Sequence, residues 1–467
     1  RARHVGFRIY MTGLSCAEEL YVYAGDHGPA EVTFTDEQQT DFTVTGATPY
    51  FHKPVLYFST NVNTPNSIGL IKAGGVTAET GTCIVDLPAG LEFVGGSIGG
   101  TKLTEVQTSQ VKGYTRYEFP VELKGDSKVF GRIYLTGDWP EGQTGALRYQ
   151  LKWEGGESPL TLQPVEAIII PEAPRPERLM TTLSWWGLSA TKEWPGAIEA
   201  FRTIGFNTAS TFARHMPNDD AELWAFRDEI AAAGFRMLNI DSPIHVMMGS
   251  HKDDPEWKCQ LADGKVSTRL CPSYRGPYWE EELQRVAAEN ARLKPGYWFP
   301  DIVVWNWQGP IDAEKCTRCQ ADFAKSGCAT WEEWKLQKGY EMWTALATAV
   351  RDAVKTAGGP EVILGVYDWT SQRDYQFTWP FMRMYPEYLQ TSQPSTYTPL
   401  YPYHIALVGD EARADAVRLG RNVGMPWLSP GDAGMFSGEA FYRALLEQFF
   451  NGAIGTNFWS SRVWDSD

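Results

Sequence analysis

Two amide side chains stand at a point where a carboxyl group could transfer a proton. Asn306 and Gln308 follow the apolar run Ile302–Val304 and precede a Gly-Pro turn. Because side chains alternate along a strand with a period of two, both amides would lie on one face. Gln308 has the shape of glutamate and Asn306 that of aspartate. A carboxyl group at position 308 could act as the general acid that cleaves a glycosidic bond, whereas an amide keeps the shape without the proton.

Two aspartates are candidates for the second catalytic carboxylate. Asp368 follows the apolar run Val362–Tyr367 and precedes Trp369, and Asp432 follows the turn residues Pro430 and Gly431. We expect Asp368 to be the partner of position 308, since consecutive strands of a barrel lie side by side. The alternative role for each aspartate is a turn or a helix cap.

Aromatic and polar residues cluster where the other apolar runs end. Planar aromatic rings pack against the apolar faces of sugars, and amides, carboxylates and hydroxyls bind sugar hydroxyl groups. Asp241, which precedes a Ser-Pro pair, could instead cap the loop that follows it. The predicted substrate-binding residues are Trp185, Trp186, Arg214, His215, Asp241, Asn306, Tyr367, Trp369 and Trp459.

The elements that must position these residues change character near residue 178. Before it, short alternating runs separated by Gly, Pro, Asn and Asp predict a β-sandwich over residues 1–172. Residues 173–178 form a proline-rich linker. Residues 179–467 alternate strand-sized and helix-sized segments eight times, as a (β/α)8 TIM barrel does, with the closing helix absent from the sequence. Strands four, five and six are expected at Asp301–Trp307, Val362–Tyr367 and Tyr388–Ser392.

Seven cysteines leave three interpretations open. Cys316 and Cys319 have the Cys-x-x-Cys spacing of zinc ligands, and Cys271, Cys259 or Cys328 could complete a set of four. We therefore take Cys271, Cys316 and Cys319 as candidate ligands of a structural zinc ion. Disulfide bonds, which export would favour, and free thiols are the alternatives. The histidines His215, His245 and His251 fit no metal-ligand spacing.

Composition excludes several classes of function. The formal net charge of −15 would repel a phosphate backbone, so we expect no nucleic-acid partner. No apolar run reaches the ~18 residues that a membrane helix needs, so no membrane span is predicted. The 19 Trp, 21 Tyr and 22 Phe residues supply both core packing and surfaces for sugar rings.

The fourth strand and the loop after it resemble those of barrel glycoside hydrolases. In that group strand four ends in a Trp-Asp/Asn-x-Glu pattern and is often followed by a Cys-x-x-Cys loop, and here Trp305–Gln308 precedes Cys316 and Cys319. The segment Cys271–Gly276 is similar to the loop before the third helix of such proteins. The resemblance implies a secreted or periplasmic glycoside hydrolase that acts on a polysaccharide or oligosaccharide and needs no cofactor for catalysis. It departs at Gln308, where glutamate is expected.

Three interpretations of Gln308 remain open at the level of sequence. It could be a substitution that traps substrate in an inactive protein, or a natural residue with the acid supplied from elsewhere. The chain could also be a carbohydrate-binding protein without catalysis. A polysaccharide lyase, which would use Tyr, His and Arg near a uronate, is a further alternative.

Overall fold

The structure is a computed structural model that describes most of the chain from residue 47 to residue 368 and shorter pieces outside it. The described residues are 22–23, 29–30, 47–51, 55–72, 76–98, 101–123, 129–177, 179–183, 186–300, 312–368, 387–396, 405–407, 410, 413–414, 427–428, 438–453, 455 and 457–458.

Residues up to 168 contain strands only, within the described part. Their bounds are β1 Val22–Tyr23, β2 Pro29–Ala30, β3 Ala47–Phe51, β4 Leu56–Ser59, β5 Thr64–Lys72, β6 Thr80–Pro88, β7 Leu91–Ile98, β8 Thr101–Lys102, β9 Gln107–Val111, β10 Tyr114–Glu122, β11 Val129–Gly137, β12 Thr144–Trp153, β13 Gly156–Glu157 and β14 Thr161–Ile168. One sheet has the order β4-β14-β12-β6-β10-β9, with β13 beside β12, and a smaller sheet has the order β3-β5-β11-β7-β8. Neighbouring strands are antiparallel except β4 and β14.

These two sheets share one apolar core. Val85 and Leu151 of the larger sheet and Ile68 and Ile133 of the smaller one all belong to a single buried cluster. Their strands show the alternation that a half-buried strand requires, for example half-buried and buried side chains in turn from Ala146 to Leu151 of β12. The alternating sequence also predicts strands at Glu31–Phe34 and Asp41–Val44, which lie outside the described residues.

Helices appear only after residue 187 in the described part, and the strands there are parallel in the main sheet. The helices are α1 Leu188–Glu193, α2 Ala197–Ile204, α3 Ala221–Ala232, α4 Pro243–Ser250, α5 Pro277–Leu293, α6 Thr317–Ser326, α7 Trp331–Thr356 and α8 Gly438–Phe450. The strands are β15 Thr208–Thr211, β16 Arg236–Asp241, β17 Lys258–Gln260, β18 Val266–Leu270, β19 Tyr297–Pro300, β20 Ile363–Asp368, β21 Thr391–Thr396, β22 Trp427–Leu428 and β23 Asn457–Phe458.

Seven of these strands form one parallel sheet in the order of the chain. The order is β15-β16-β19-β20-β21-β22-β23, and β17 and β18 pair separately as an antiparallel hairpin. Isolated parallel bridges join Met180 to Gly455 and Thr182 to Thr208. The segment 179–183 therefore pairs with residues at or next to both outer strands of this sheet.

Glycines return the chain from helices to strands at two points before β15 and β16. Gly205 ends α2 with φ +87°, and Gly234 follows α3 with φ +87°. Residues with a Cβ atom rarely adopt this left-handed conformation, which explains why glycine stands there. Each glycine is followed within three residues by a strand of the parallel sheet.

The structure places strand residues directly before the expected fourth strand and corrects the sixth. Tyr297–Pro300 forms β19, which pairs with β16 and β20. The predicted segment Asp301–Trp307 lies outside the described residues, as do residues 308–311. The sixth strand is Thr391–Thr396, three residues later than expected at its start.

No helix among the described residues is both long enough and apolar enough to cross a membrane.

Candidate active site and a four-cysteine cluster

Parallel pairing brings the carboxyl ends of the strands to one edge of the sheet. Asp241, the last residue of β16, is in register with Pro300 at the end of β19. Asp368 ends β20 and is in register with Pro394 of β21. Arg214 and His215 lie in a short 3-10 turn directly after β15. In parallel α/β folds this edge is where ligands bind, so it is the candidate active site.

Asp241 lies in a buried network of charges at this edge. Its carboxylate oxygens are both 3.3 Å from Nη2 of Arg285, and one oxygen accepts a hydrogen bond of 2.8 Å from the Ser242 amide. Nη1 of Arg214 lies 3.6 Å from the same carboxylate. The side chain of Asp241 is 1% exposed. Two guanidinium groups therefore compensate one buried carboxylate.

Helix α5 supplies the rest of this network. Arg285 also pairs with Glu282 at 2.8 Å and with Glu289 at 2.6 Å, one helical turn before and after it. Burial raises the pKa of Glu282 to about 7, even though Arg285 opposes that shift. Burial likewise raises the pKa of Glu289. Spacings of three and four residues place these side chains on one helix face, the signal by which the sequence could have revealed them.

Two histidines near Arg214 have lowered pKa values. Burial and the Arg214 charge lower the pKa of His215, and the same two causes lower that of the half-buried His245. Nε of Arg214 donates a hydrogen bond of 3.1 Å to Nε2 of His215. In a neutral His215 whose Nε2 accepts this bond, Nδ1 carries the proton and can donate to a hydroxyl group.

The structure corrects two of the predicted substrate-binding residues. Trp186 is 2% exposed and packs in the core against Trp194, so its ring has no free surface for a sugar. Asp241 is also buried, and its oxygens already bind Arg285 and the Ser242 amide. In both cases the prediction was wrong because the residue is buried by partners elsewhere in the chain, and local sequence patterns do not encode such contacts.

The remaining predicted site residues are described only in part. The backbones of Tyr367 and Asp368 belong to β20, and their side chains lie outside the described part of the structure. Six predicted residues lie wholly outside it: Trp185, Asn306, Gln308, Trp369, Asp432 and Trp459.

Four buried cysteines meet in a second cluster beside α6. The Sγ atoms of Cys259, Cys271, Cys316 and Cys319 all lie within 4.8 Å of one another. Sγ of Cys271 is 3.7 Å from that of Cys316 and 3.5 Å from that of Cys319. A disulfide would require about 2.05 Å, and all four cysteines are free. Four thiolates about 2.3 Å from a central zinc ion would be about 3.8 Å apart, so these separations match a tetrahedral site.

Two segments bring the cysteines together. Cys259 and Cys271 come from the β17–β18 hairpin and the residue that follows it, and Cys316 and Cys319 come from the start of α6. Hydrogen bonds from the other three thiols lower the pKa of Cys316, which favours its thiolate. Arg318 ties the two segments by donating hydrogen bonds to the Glu256 and Lys258 carbonyl oxygens. Of the alternatives that the sequence left for the fourth member, the structure places Cys259 there, while Cys328 contacts Gln337.

Comparisons with known proteins find similar folds at low identity. No protein-family model matches the chain, and no curated protein sequence matches it. A GH5 xyloglucanase from Bacteroides ovatus matches with 10% identity and a TM-score of 0.30, over 90% of this chain and 95% of the other. A β-galactosidase from Rahnella sp. R3 matches with 11% identity and a TM-score of 0.38, over 61% and 50% of the two chains. A D-psicose 3-epimerase matches with 10% identity and a TM-score of 0.32, over 60% and 84%.

Glycoside hydrolases are thus among the solved structures to which this chain is similar, and no specific family is identified. Every TM-score given is below 0.5, so the reaction has to be inferred from the chain's own residues.

Proposed function

We propose that this chain is a glycoside hydrolase built on a closed (β/α)8 barrel, at residues 179–467, that follows a β-sandwich at residues 1–172 and a linker at 173–178. Closure of the barrel is supported by the two bridges that the segment 179–183 makes, one to Gly455 and one to Thr208. The sandwich is supported by the single core that the two N-terminal sheets share.

The observation that carries this proposal is the edge that the parallel strands share. Asp368 ends β20, and β19, which pairs with β20, precedes position 308 by eight residues in the sequence. Position 308 would face the glycosidic oxygen, Asp368 would be the partner carboxylate, and Asp432 the alternative partner. Water or the carboxylate then attacks the anomeric carbon while the acid protonates the leaving oxygen. With glutamine at position 308, this residue cannot donate the proton that the leaving oxygen needs.

The described side chains at this edge suit an uncharged sugar. Asp241, Glu289 and Glu282 together balance the charges of Arg214 and Arg285, so the cluster has no excess of positive charge to attract an anion. Arg214 and the neutral His215 supply hydrogen bonds for hydroxyl groups, and Trp185, Trp369 and Trp459 are the proposed stacking surfaces. The proposed substrate is an oligosaccharide or polysaccharide.

Restoring the acid tests the reaction. Sugar release from a panel of polysaccharides is measured for the wild-type chain, for Q308E, and for Q308E combined with D368N. We expect Q308E to increase the rate by about 100-fold or more, the usual contribution of a general acid, and D368N to abolish the gain. Gln110→Glu on β9 adds the same charge far from the site and serves as the control.

Each other outcome rejects a specific part of this proposal. A wild-type chain that is as active as Q308E excludes position 308 as the acid. Binding of oligosaccharides without hydrolysis by either protein identifies a carbohydrate-binding protein. An unsaturated product that absorbs ultraviolet light identifies a lyase.

We also propose that the four-cysteine cluster binds a structural zinc ion. The cluster holds the β17–β18 hairpin against the start of α6, and such a site needs no open coordination position. Metal analysis of the purified chain should find zinc, and C271S should lose it and melt at a lower temperature. C328S, outside the cluster, should retain the metal. Zinc retained at full stoichiometry by C271S would reject the site.

A further inference from the structure

The smaller N-terminal sheet packs its outer face against the parallel part of the chain. Tyr134 of β11 is fully buried and belongs to the same apolar cluster as Trp186, Trp194 and Phe201. Its ring stacks on Trp194, with the ring centres 6.0 Å apart. The smaller N-terminal sheet and the parallel part therefore share a hydrophobic core and are not separate domains joined only by a linker.

Polar contacts surround this shared core. Nε1 of Trp194 donates a hydrogen bond of 2.7 Å to the Asn63 carbonyl oxygen, and Nδ2 of Asn63 donates one of 2.7 Å to the Pro195 carbonyl oxygen. The hydroxyl of Ser97 donates one of 2.7 Å to Glu193 at the end of α1. Gly95 permits the closest approach, since a Cβ atom there would lie 3.1 Å from Cγ of Pro195.

Arg132 of the smaller sheet contacts Trp186 of the parallel part. Its guanidinium carbon lies 4.0 Å from the centre of the Trp186 ring. Arg132 pairs across the sheet with Ser67 and Ser97, so it stands in the middle of the face that packs on the parallel part. A guanidinium over a buried indole is a cation–π contact, and such contacts are stronger when water is excluded.

Trp186 lies in the segment where the chain leaves the parallel sheet. The bridges at Met180 and Thr182 place residues 179–183 in line with the parallel strands. The Trp186 amide donates a hydrogen bond of 3.3 Å to the Leu183 carbonyl oxygen. The hydroxyl of the buried Ser210, on β15, lies 2.5 Å from that oxygen and 3.0 Å from the Trp186 carbonyl oxygen. Trp186 therefore lies next to β15, the strand that leads to Arg214 and His215.

We propose that Arg132 is a positioning residue for the candidate active site: its guanidinium holds the Trp186 ring, while Ser210 of β15 contacts the Trp186 carbonyl oxygen. This proposal rests on the proposed function, because it gives the N-terminal sheets a part in shaping the substrate site. It also explains why Trp186, placed beside the predicted stacking residue Trp185, is buried and not exposed to a sugar.

Amide hydrogen exchange reports how firmly residues 186 and 187 are held, and the measurement needs no substrate. In the full chain, R132M removes the charge and keeps an apolar stem, and R132K keeps a cation on a thinner stem. We expect exchange at the amides of residues 186 and 187 to become about tenfold faster in R132M and to return most of the way to wild type in R132K. Asn63→Ala loosens the same interface at Pro195 and should leave these amides unchanged.

Enzyme kinetics then test whether the contact between Arg132 and Trp186 affects the reaction. With 4-nitrophenyl β-D-galactopyranoside as the probe, in the Q308E background if the wild-type chain is silent, R132M should raise KM more than it lowers kcat, and N63A should change neither. A general loss of stability would affect N63A and R132M alike, so melting temperatures of all three variants accompany the assay.

The outcomes separate this inference from the proposed function. Unchanged exchange at residues 186 and 187 in R132M overturns the positioning role, whatever the enzyme does. Equal effects in N63A and R132M also overturn it, because they would show a general interface effect. If exchange responds as expected but no glycoside is hydrolysed, the positioning role stands and the proposed reaction fails.

Discussion

Replacing Glu282 by glutamine tests the electrostatics of the buried network under the candidate active site. Glu282 is 3% exposed and lies 2.8 Å from Arg285. Burial raises its pKa from 4.5 to about 7. Each tenfold change in proton affinity corresponds to 1.36 kcal/mol, so this change in pKa corresponds to about 3 kcal/mol.

The sign of the effect follows from which state binds the proton more tightly. Between pH 4.5 and pH 7 the unfolded chain releases the Glu282 proton while the folded chain retains it, so the free energy of unfolding falls as the pH rises. The stabilisation is complete below pH 4.5 and is lost above about pH 7. Glutamine, which is neutral and of the same shape, has no such dependence. We therefore expect E282Q to gain about 3 kcal/mol relative to wild type between pH 4 and pH 8.

Urea unfolding of both proteins at several pH values measures this difference. Glu280→Gln on the first, exposed turn of α5 is the control, and it should shift stability by less than about 1 kcal/mol without a comparable slope. The reasoning is refuted if E282Q becomes the less stable protein as the pH rises. That result would mean that Arg285 holds Glu282 ionised at neutral pH and outweighs the cost of burial.

Substitutions at three further positions test the packing of the chain by urea unfolding. Asp241→Ala leaves the guanidinium of Arg285 without its strand-end partner and should cost about 3 kcal/mol, while D241N should cost less. Trp334→Ala empties a fully buried position on α7 and should cost about 3–5 kcal/mol; a loss below 1 kcal/mol would contradict the packing. Gly95→Ala should destabilise the interface, because φ is +155° and the new Cβ would approach Pro195, and a more stable G95A would reject that contact.

Many of the regular elements were predictable from local patterns. Apolar spacing predicts helices at Gly438–Phe450 and Trp331–Ala357, and the structure has them at Gly438–Phe450 and Trp331–Thr356. Thr330 explains the start of the latter, since its side chain accepts a hydrogen bond from the Glu333 amide. Helix periodicity and capping act over a few residues, so the sequence contains the necessary information.

Strand bounds were less predictable, because pairing with a neighbouring strand determines where a strand begins and ends. The run Tyr297–Phe299 is recognised as a strand by its pairing with β16 and β20. Strands Thr64–Lys72 and Leu91–Ile98 likewise depend on the strands beside them. In a sheet, hydrogen bonds connect residues far apart in the chain, and hydrophobicity alone marks them weakly.

The sequence by itself determined that cysteines 316 and 319 form a pair with metal-ligand spacing, and that acidic or amide residues end several apolar runs. Only the tertiary structure decided that Cys259 and not Cys328 joins that pair, that Asp241 is enclosed by Arg285 and Arg214, and that Trp186 lies under Arg132. The physical reason is distance along the chain: spacing reports neighbours on one helix or strand, whereas burial and charge pairing depend on which remote segments pack together.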